Sequence, residues 1–224
     1  MILFGIVITL GLLFSAYLIY MAPEPPKIRV PVVCAGDADS AIQKPLSSTI
    51  QVLPDTFTLD GQTIQTREYN IFVVNGDSMK NRDIHSGDIV LSKPVTNVYT
   101  DLAEHNVIVL RIANRLGSYK LREFIKVVTV KDYDNSRDDI LKSLANLDSE
   151  FPAKLDKCIA QYREVELVFI ISKTFDVEKQ YERYSIHPVS LLEGRVYYKI
   201  DPKDLLAKNK RRISASLYFI AYGN

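Results

Sequence analysis

The sequence predicts a mainly β protein, a curled antiparallel sheet or small barrel, with one helical insertion and a transmembrane helix in front of it. Three observations predict it. The chain starts with an apolar run free of charged side chains, continues in short β-branched and aromatic runs separated by Gly-Asp turns, and contains one stretch with helical spacing.

Met1 to Met21 holds no Asp, Glu, Lys, Arg, His, Asn or Gln. At about 1.5 Å per residue such a helix just crosses a ~30 Å hydrocarbon core, so residues 1–22 are read as a membrane anchor. Tyr17 and Tyr20 stand where interfacial rings belong, and Pro23, Pro25 and Pro26 end the helix. A cleaved signal peptide is the rival reading, but no basic region precedes the run and no small-x-small pattern follows it. Lys27 and Arg29 follow on the carboxyl side, which by the positive-inside bias keeps the large domain cytoplasmic. Residues 23–49 are then a linker.

From residue 50 onward strands are expected at Tyr69–Asn75, Asp88–Ser92, Asn106–Ile112, Tyr119–Val130, Val165–Ser172, Gly194–Ile200 and Ile213–Tyr222. The breaks carry turn chemistry: Asn75-Gly76-Asp77, Ser86-Gly87-Asp88 and Leu116-Gly117-Ser118. Ser136 to Glu164 differs, with Ile140, Leu141, Leu144 and Leu147, then Leu155, Ile159 and Tyr162, at helical intervals. It reads as a helical hairpin broken at Pro152, covering one side of the sheet, or else an excursion that binds a partner.

Composition excludes several classes. Among 224 residues, 28 Lys+Arg against 27 Asp+Glu leave a net charge of +1, with no electrostatic footprint for nucleic acid. The Lys208–Arg212 cluster is read as a solvated turn. Cys34 and Cys158 form no disulfide framework, and His85, His105 and His187 lack metal-ligand spacing, so neither metal nor cofactor is expected.

The chemically informative stretch is Val73 to Leu91, VVNGDSMKNRDIHSGDIVL, where a strand runs into a Gly-Asp turn able to expose the hydroxyl of Ser78. Downstream, a strand opens with Tyr119-Lys120-Leu121, and Lys120 has apolar neighbours. A serine hydroxyl needs a base, and a lysine whose pKa is lowered by burial can serve. Lys126 and Lys131 are competing bases, and His85 and His105 offer a Ser-His alternative. Gly76 and Asp77 also read as ordinary turn residues, Gly87-Asp88 as structural, and Met79 as packing.

Gly76-Asp77-Ser78-Met79, then a Gly-Asp turn followed by apolar residues, then a strand bearing Lys120, resembles the Ser/Lys peptidase superfamily of LexA-type self-cleaving proteins and type I signal peptidases. The resemblance covers about Ile50 to Tyr198, Tyr184–Tyr198 being similar to the closing strand region of that fold. It implies Ser78 as nucleophile, Lys120 as general base, and an oxyanion hole of backbone N–H groups at Ser78 and Gly76. It also implies a peptide or protein substrate, no cofactor, and a homodimer.

Val33-Cys34-Ala35-Gly36 is similar to the cleavage region of LexA-type proteins, which places the equivalent bond at Ala35-Gly36. Cut there, residues 36–224 would part from the anchor, and tethering would let a slow dyad suffice. The bland reading is a plain linker. Signal peptidase-like processing of exported preproteins is the main alternative; the basic flank opposes its topology, and Asp132–Asp139 only superficially echoes a later box of that family. A non-catalytic membrane-anchored interaction module is the second alternative. The expected setting is a bacterial inner membrane, with a cytoplasmic regulatory peptidase.

Overall fold

The structure, a computed structural model, describes residues 27–35, 47–51, 53–59, 61–113, 116–144, 147–163, 168–176 and 180–203. The expected anchor at 1–22, Gly36, the 208–212 cluster and the expected strand at 213–222 lie outside them. Among the described residues no helix is long and apolar enough to cross a membrane.

The described residues are mainly β, with strands over 48% of them, one large sheet and two helices. In chain order the strands are β1 (Lys27–Cys34), β2 (Ser47–Gln51), β3 (Thr56–Leu59), β4 (Gln62–Gln65), β5 (Asn70–Asn75), β6 (Ile89–Lys93), β7 (Val107–Arg111) and β8 (Tyr119–Thr129). Helices α1 (Val130–Lys142) and α2 (Phe151–Tyr162) follow, then β9 (Val168–Asp176), β10 (Tyr181–Pro188) and β11 (Leu192–Ile200). Strands β3 and β4 form a separate hairpin.

The other nine strands lie in the order β10-β9-β8-β7-β11-β6-β5-β1-β2, and β1 pairs additionally with β8. That extra pairing closes β8, β7, β11, β6, β5 and β1 into a ring. The expected barrel is therefore present, but it is not wholly antiparallel: β1 runs parallel to both β5 and β8. One buried cluster collects Val33 and Ala35, Phe72 and Val74, Val90, Val109 and Leu121, with Val196 packed against it. Every strand of the ring contributes to it, so it fills the barrel's interior as period-2 alternation requires.

Strand β1 falls within the stretch expected as a linker. Pro31 lacks an N–H and sits among residues read as a connection, yet Val30, Val32, Val33, Cys34 and Ala35 are all buried. Burying each valine contributes roughly 1.5–3 kcal/mol, enough to hold this segment in the sheet rather than in water.

The helical hairpin begins earlier than expected, at Val130, where Thr129 and Asp132 form a reciprocal capping box. Pro152 does not break it but occupies the first turn of α2, where a missing N–H costs nothing. Tyr133, Ile140, Phe151, Leu155 and Ile159 pack on Ile125, Val128, Phe169, Ile171 and Tyr184. The insertion is a side cover of β8, β9 and β10.

Candidate active site

Two braced turns fix the backbone around Ser78. Strand β5 ends at Asn75, Gly76 takes φ +102°, and Gly87, in the facing turn, takes φ +96°. Both angles are in the region where glycine alone is unstrained. The Gly76 N–H donates to Ser86 Oγ at 3.1 Å, and Asp77 Oδ1 accepts from the Ser86 N–H at 3.0 Å. Asp88 is buried and its carboxylate accepts from the His85 N–H at 2.8 Å. Met79 is fully buried in the barrel cluster, so the turn is pinned immediately after the serine. Ser78 is half-buried, and its carbonyl accepts from the Phe175 N–H at 3.1 Å and from Thr174 Oγ1 at 3.2 Å.

The chain just after β1 lies directly on this turn. Cys34 is level with Asn75 on one side and with Lys120 on the other. The Ala35 N–H donates to the Asn75 carbonyl at 2.9 Å, and the Ser78 N–H donates to the Ala35 carbonyl at 3.4 Å. A backbone N–H aimed at a carbonyl in this way is the type of donor that stabilises a tetrahedral oxyanion. Of the two donors expected, Ser78 reaches Ala35, whereas the Gly76 N–H is directed to Ser86. Ala35 is itself buried, its methyl group in the barrel cluster.

Lys120 is buried at 8% exposure, level with Leu110 on β7 as well as with Cys34. Paired residues point to one side of a sheet, so Lys120, Arg122 and Phe124 of β8 share a face with Ile170, Ser172 and Thr174 of β9. Thr174, on that face, is the residue whose hydroxyl donates to the Ser78 backbone carbonyl. His187 lies on that face too: its Nδ1 is 3.5 Å from Lys120 Nζ, and its Nε2 is 2.9 Å from Ser185 Oγ. Ser185 Oγ is in turn 3.2 Å from Ser172 Oγ. Burial first, and then the charges of Lys120 and Arg122, push the His187 imidazole well below its ordinary pKa, so the ring is neutral.

The competing groups are placed elsewhere. Lys126 donates to Ser143 Oγ at the end of the helical insertion, and Lys131 is exposed on α1. His85 is exposed beside Asp83 and Asp88. His105 Nδ1 lies 2.6 Å from Glu123 Oε1, and Glu123 also holds Arg82, with Nε to Oε2 at 2.8 Å and Nη2 to Oε1. Burial pushes the Glu123 carboxyl up, but Arg82, His105 and Lys173 outweigh it and hold the group below its ordinary pKa.

His187 is the site residue that sequence reasoning passed over. Its signal was the alternation Ser185-Ile186-His187, two polar groups on one face of a strand, but only the fold shows that Lys120 meets them. Among the described residues no cluster of three or more His, Cys, Asp or Glu side chains could hold a metal ion. No protein-family model, no curated protein and no solved structure matches the chain.

Proposed function

We propose that this chain is a membrane-anchored serine peptidase of the Ser/Lys type that cuts its own Ala35-Gly36 bond, with Ser78 as nucleophile and Lys120 as general base. The observation that supports this reading is the hydrogen bond from the Ser78 N–H to the Ala35 carbonyl, made while Cys34 lies level with Lys120. In the reaction the Lys120 amine takes the Ser78 hydroxyl proton as Oγ bonds to the Ala35 carbonyl carbon. The negative oxygen faces the Ser78 N–H. The ammonium then gives its proton to the departing Gly36 nitrogen, and water hydrolyses the acyl-enzyme with Lys120 again as base. In this reading residues 1–22 are the anchor and the bond lies just after β1, the first strand of the barrel.

Intact mass of the full chain in detergent, followed from neutral to alkaline pH for wild type, Ser78→Ala and Lys120→Ala, tests it. Wild type splits between Ala35 and Gly36; Ser78→Ala stays whole, and Lys120→Ala slows by roughly 10²–10⁴-fold, the usual share of a general base. A wild-type chain that stays whole at every pH, or a Ser78→Ala chain that still splits there, overturns the reading.

A further inference from the structure

We propose that His187 is the positioning residue of Lys120, an extension that rests on the peptidase reading above. The geometry carries it. Lys120 and His187 come from strands that are not neighbours, β8 and β10, and both are buried at 8% exposure on one face. On that face Nδ1 of the ring stands 3.5 Å from Nζ of the lysine. The charged groups nearest the ring are Lys120 and Arg122 of β8; β9 offers Ser172 and β10 offers Ser185.

The tautomer follows from the partners. A neutral imidazole has one N–H and one lone pair, and in the proposed arrangement Nδ1 is the acceptor, the role it takes beside an ammonium, which has only hydrogens to offer. Nε2 then carries the proton and donates to Ser185 Oγ, whose own hydrogen goes to Ser172 Oγ. All three groups are satisfied in one direction, so the ring is locked against rotation from behind. The hydroxyl of Ser185 also borders a cavity of about 240 Å³ lined by Arg122, Thr174, Arg183 and Tyr184.

A locked acceptor does two things for a lysine base. In the amine form it takes one N–H, which restricts the directions left for the lone pair. In the ammonium form, reached when the Ser78 proton has been transferred, it accepts a hydrogen bond from the new charge within a buried site. Removing the ring therefore lowers the plateau rate and favours the uncharged amine, so the lysine midpoint moves to lower pH. A residue that merely packs would change stability without moving that midpoint.

The test uses the full chain in detergent and two readouts. The first is the self-cleavage rate against pH for wild type, His187→Leu, His187→Gln and Ser185→Ala. The second needs no cleavage: the Lys120 Nζ resonance of ¹⁵N-lysine-labelled Ser78→Ala protein, assigned by its loss in Ser78→Ala/Lys120→Ala, is titrated with and without His187→Leu. His187→Leu is expected to cut the plateau rate at least tenfold and to move both midpoints to lower pH. His187→Gln, which keeps an acceptor, recovers part of the rate, and Ser185→Ala gives a smaller loss in a variant with little effect on packing. A Lys120 midpoint unmoved by His187→Leu in a folded chain overturns the proposal. So does a Ser185→Ala rate within twofold of wild type together with His187→Gln no better than His187→Leu. If wild type does not cleave, the peptidase reading fails on the first readout while the titration still decides the His187–Lys120 contact.

Discussion

Glu123, on the strand that carries Lys120, clasps the guanidinium of Arg82, which stands just past the Ser78 turn. The carboxylate is 1% exposed, and Lys173 approaches it at 3.5 Å from β9. One buried group thus holds the serine turn, the lysine strand and a third strand in fixed relation.

Breaking that clasp from one side leaves the buried Glu123 carboxylate with only His105 and Lys173 beside it, or the part-exposed Arg82 guanidinium without the carboxylate. Arg82→Ala or Glu123→Gln is expected to lower unfolding free energy by about 1–3 kcal/mol in urea titration, whereas Arg82→Met combined with Glu123→Leu loses less. Equal losses for the single and the double replacement would show that the pair is not what joins the two segments.

If the Ala35-Gly36 bond is cut as proposed, the cut alone is expected to leave the amino-terminal piece attached. After the Ala35-Gly36 bond is cut, β1 still pairs with β2, β5 and β8 and still buries Val30, Val32 and Val33. The two fragments are expected to run together in size-exclusion chromatography in detergent and to separate only in denaturant. Fragments that separate under native conditions would mean that β1 leaves the sheet on cleavage.

Two groups place acid sensitivity in different pH windows. His187 is neutral in the folded chain and takes a proton near its ordinary value of 6.5 when unfolded. The unfolded state then binds more protons, so stability is full above about pH 6.5 and falls below it, at up to about 1.4 kcal/mol per pH unit. Glu123 has its folded pKa lowered, so its contribution holds above its ordinary value of 4.5 and is lost as the pH drops through the folded value. Urea unfolding from pH 8 to about 5 is expected to weaken wild type and leave His187→Gln flatter. Parallel curves for the two would remove His187 as the source.

Gly194 sits where β11 crosses β6, and a Cβ there would meet the Lys93 carbonyl oxygen at 2.4 Å. The obstacle is backbone, so Gly194→Ala forces the two strands apart and is expected to cost about 1–3 kcal/mol, read as a drop in melting temperature. An unchanged melting temperature would show that the strands shift freely at this crossing.

Much of the sheet was legible because β5 to β8 carry dense β-branched runs between glycine turns, a local signal. The helical cover was legible from the apolar spacing of Ile140 through Ile159, and Pro152 misled only as to whether it ended a helix or began one. Strand β1 was passed over although Ile28, Val30 and Val32 alternate with Lys27, Arg29 and Pro31, because Pro31 reads as part of a connection and the partners, Val73–Asn75 and Tyr119–Lys120, are far away in the chain. Strand β10 was named only through a resemblance, since Glu182, Arg183, Ser185 and His187 read as a polar connection until their partners across the sheet are known. Ser78 and Lys120 could be nominated from turn chemistry and apolar neighbours. The Arg82–Glu123 clasp and His187 could not, because each exists only between distant segments.

The ring of strands closes through β1, whose contacts are among the most non-local in the chain. Pairing Val33 with Val74 and with Tyr119 requires long loops to close first, and such contacts form late and slowly in folding. The Ala35 carbonyl meets the Ser78 N–H only when β1 is paired with β5 and β8. On the proposed self-cleavage the chemistry would be timed by folding: a half-folded chain would not present the bond, and a cut chain would be the record of one that had completed its barrel.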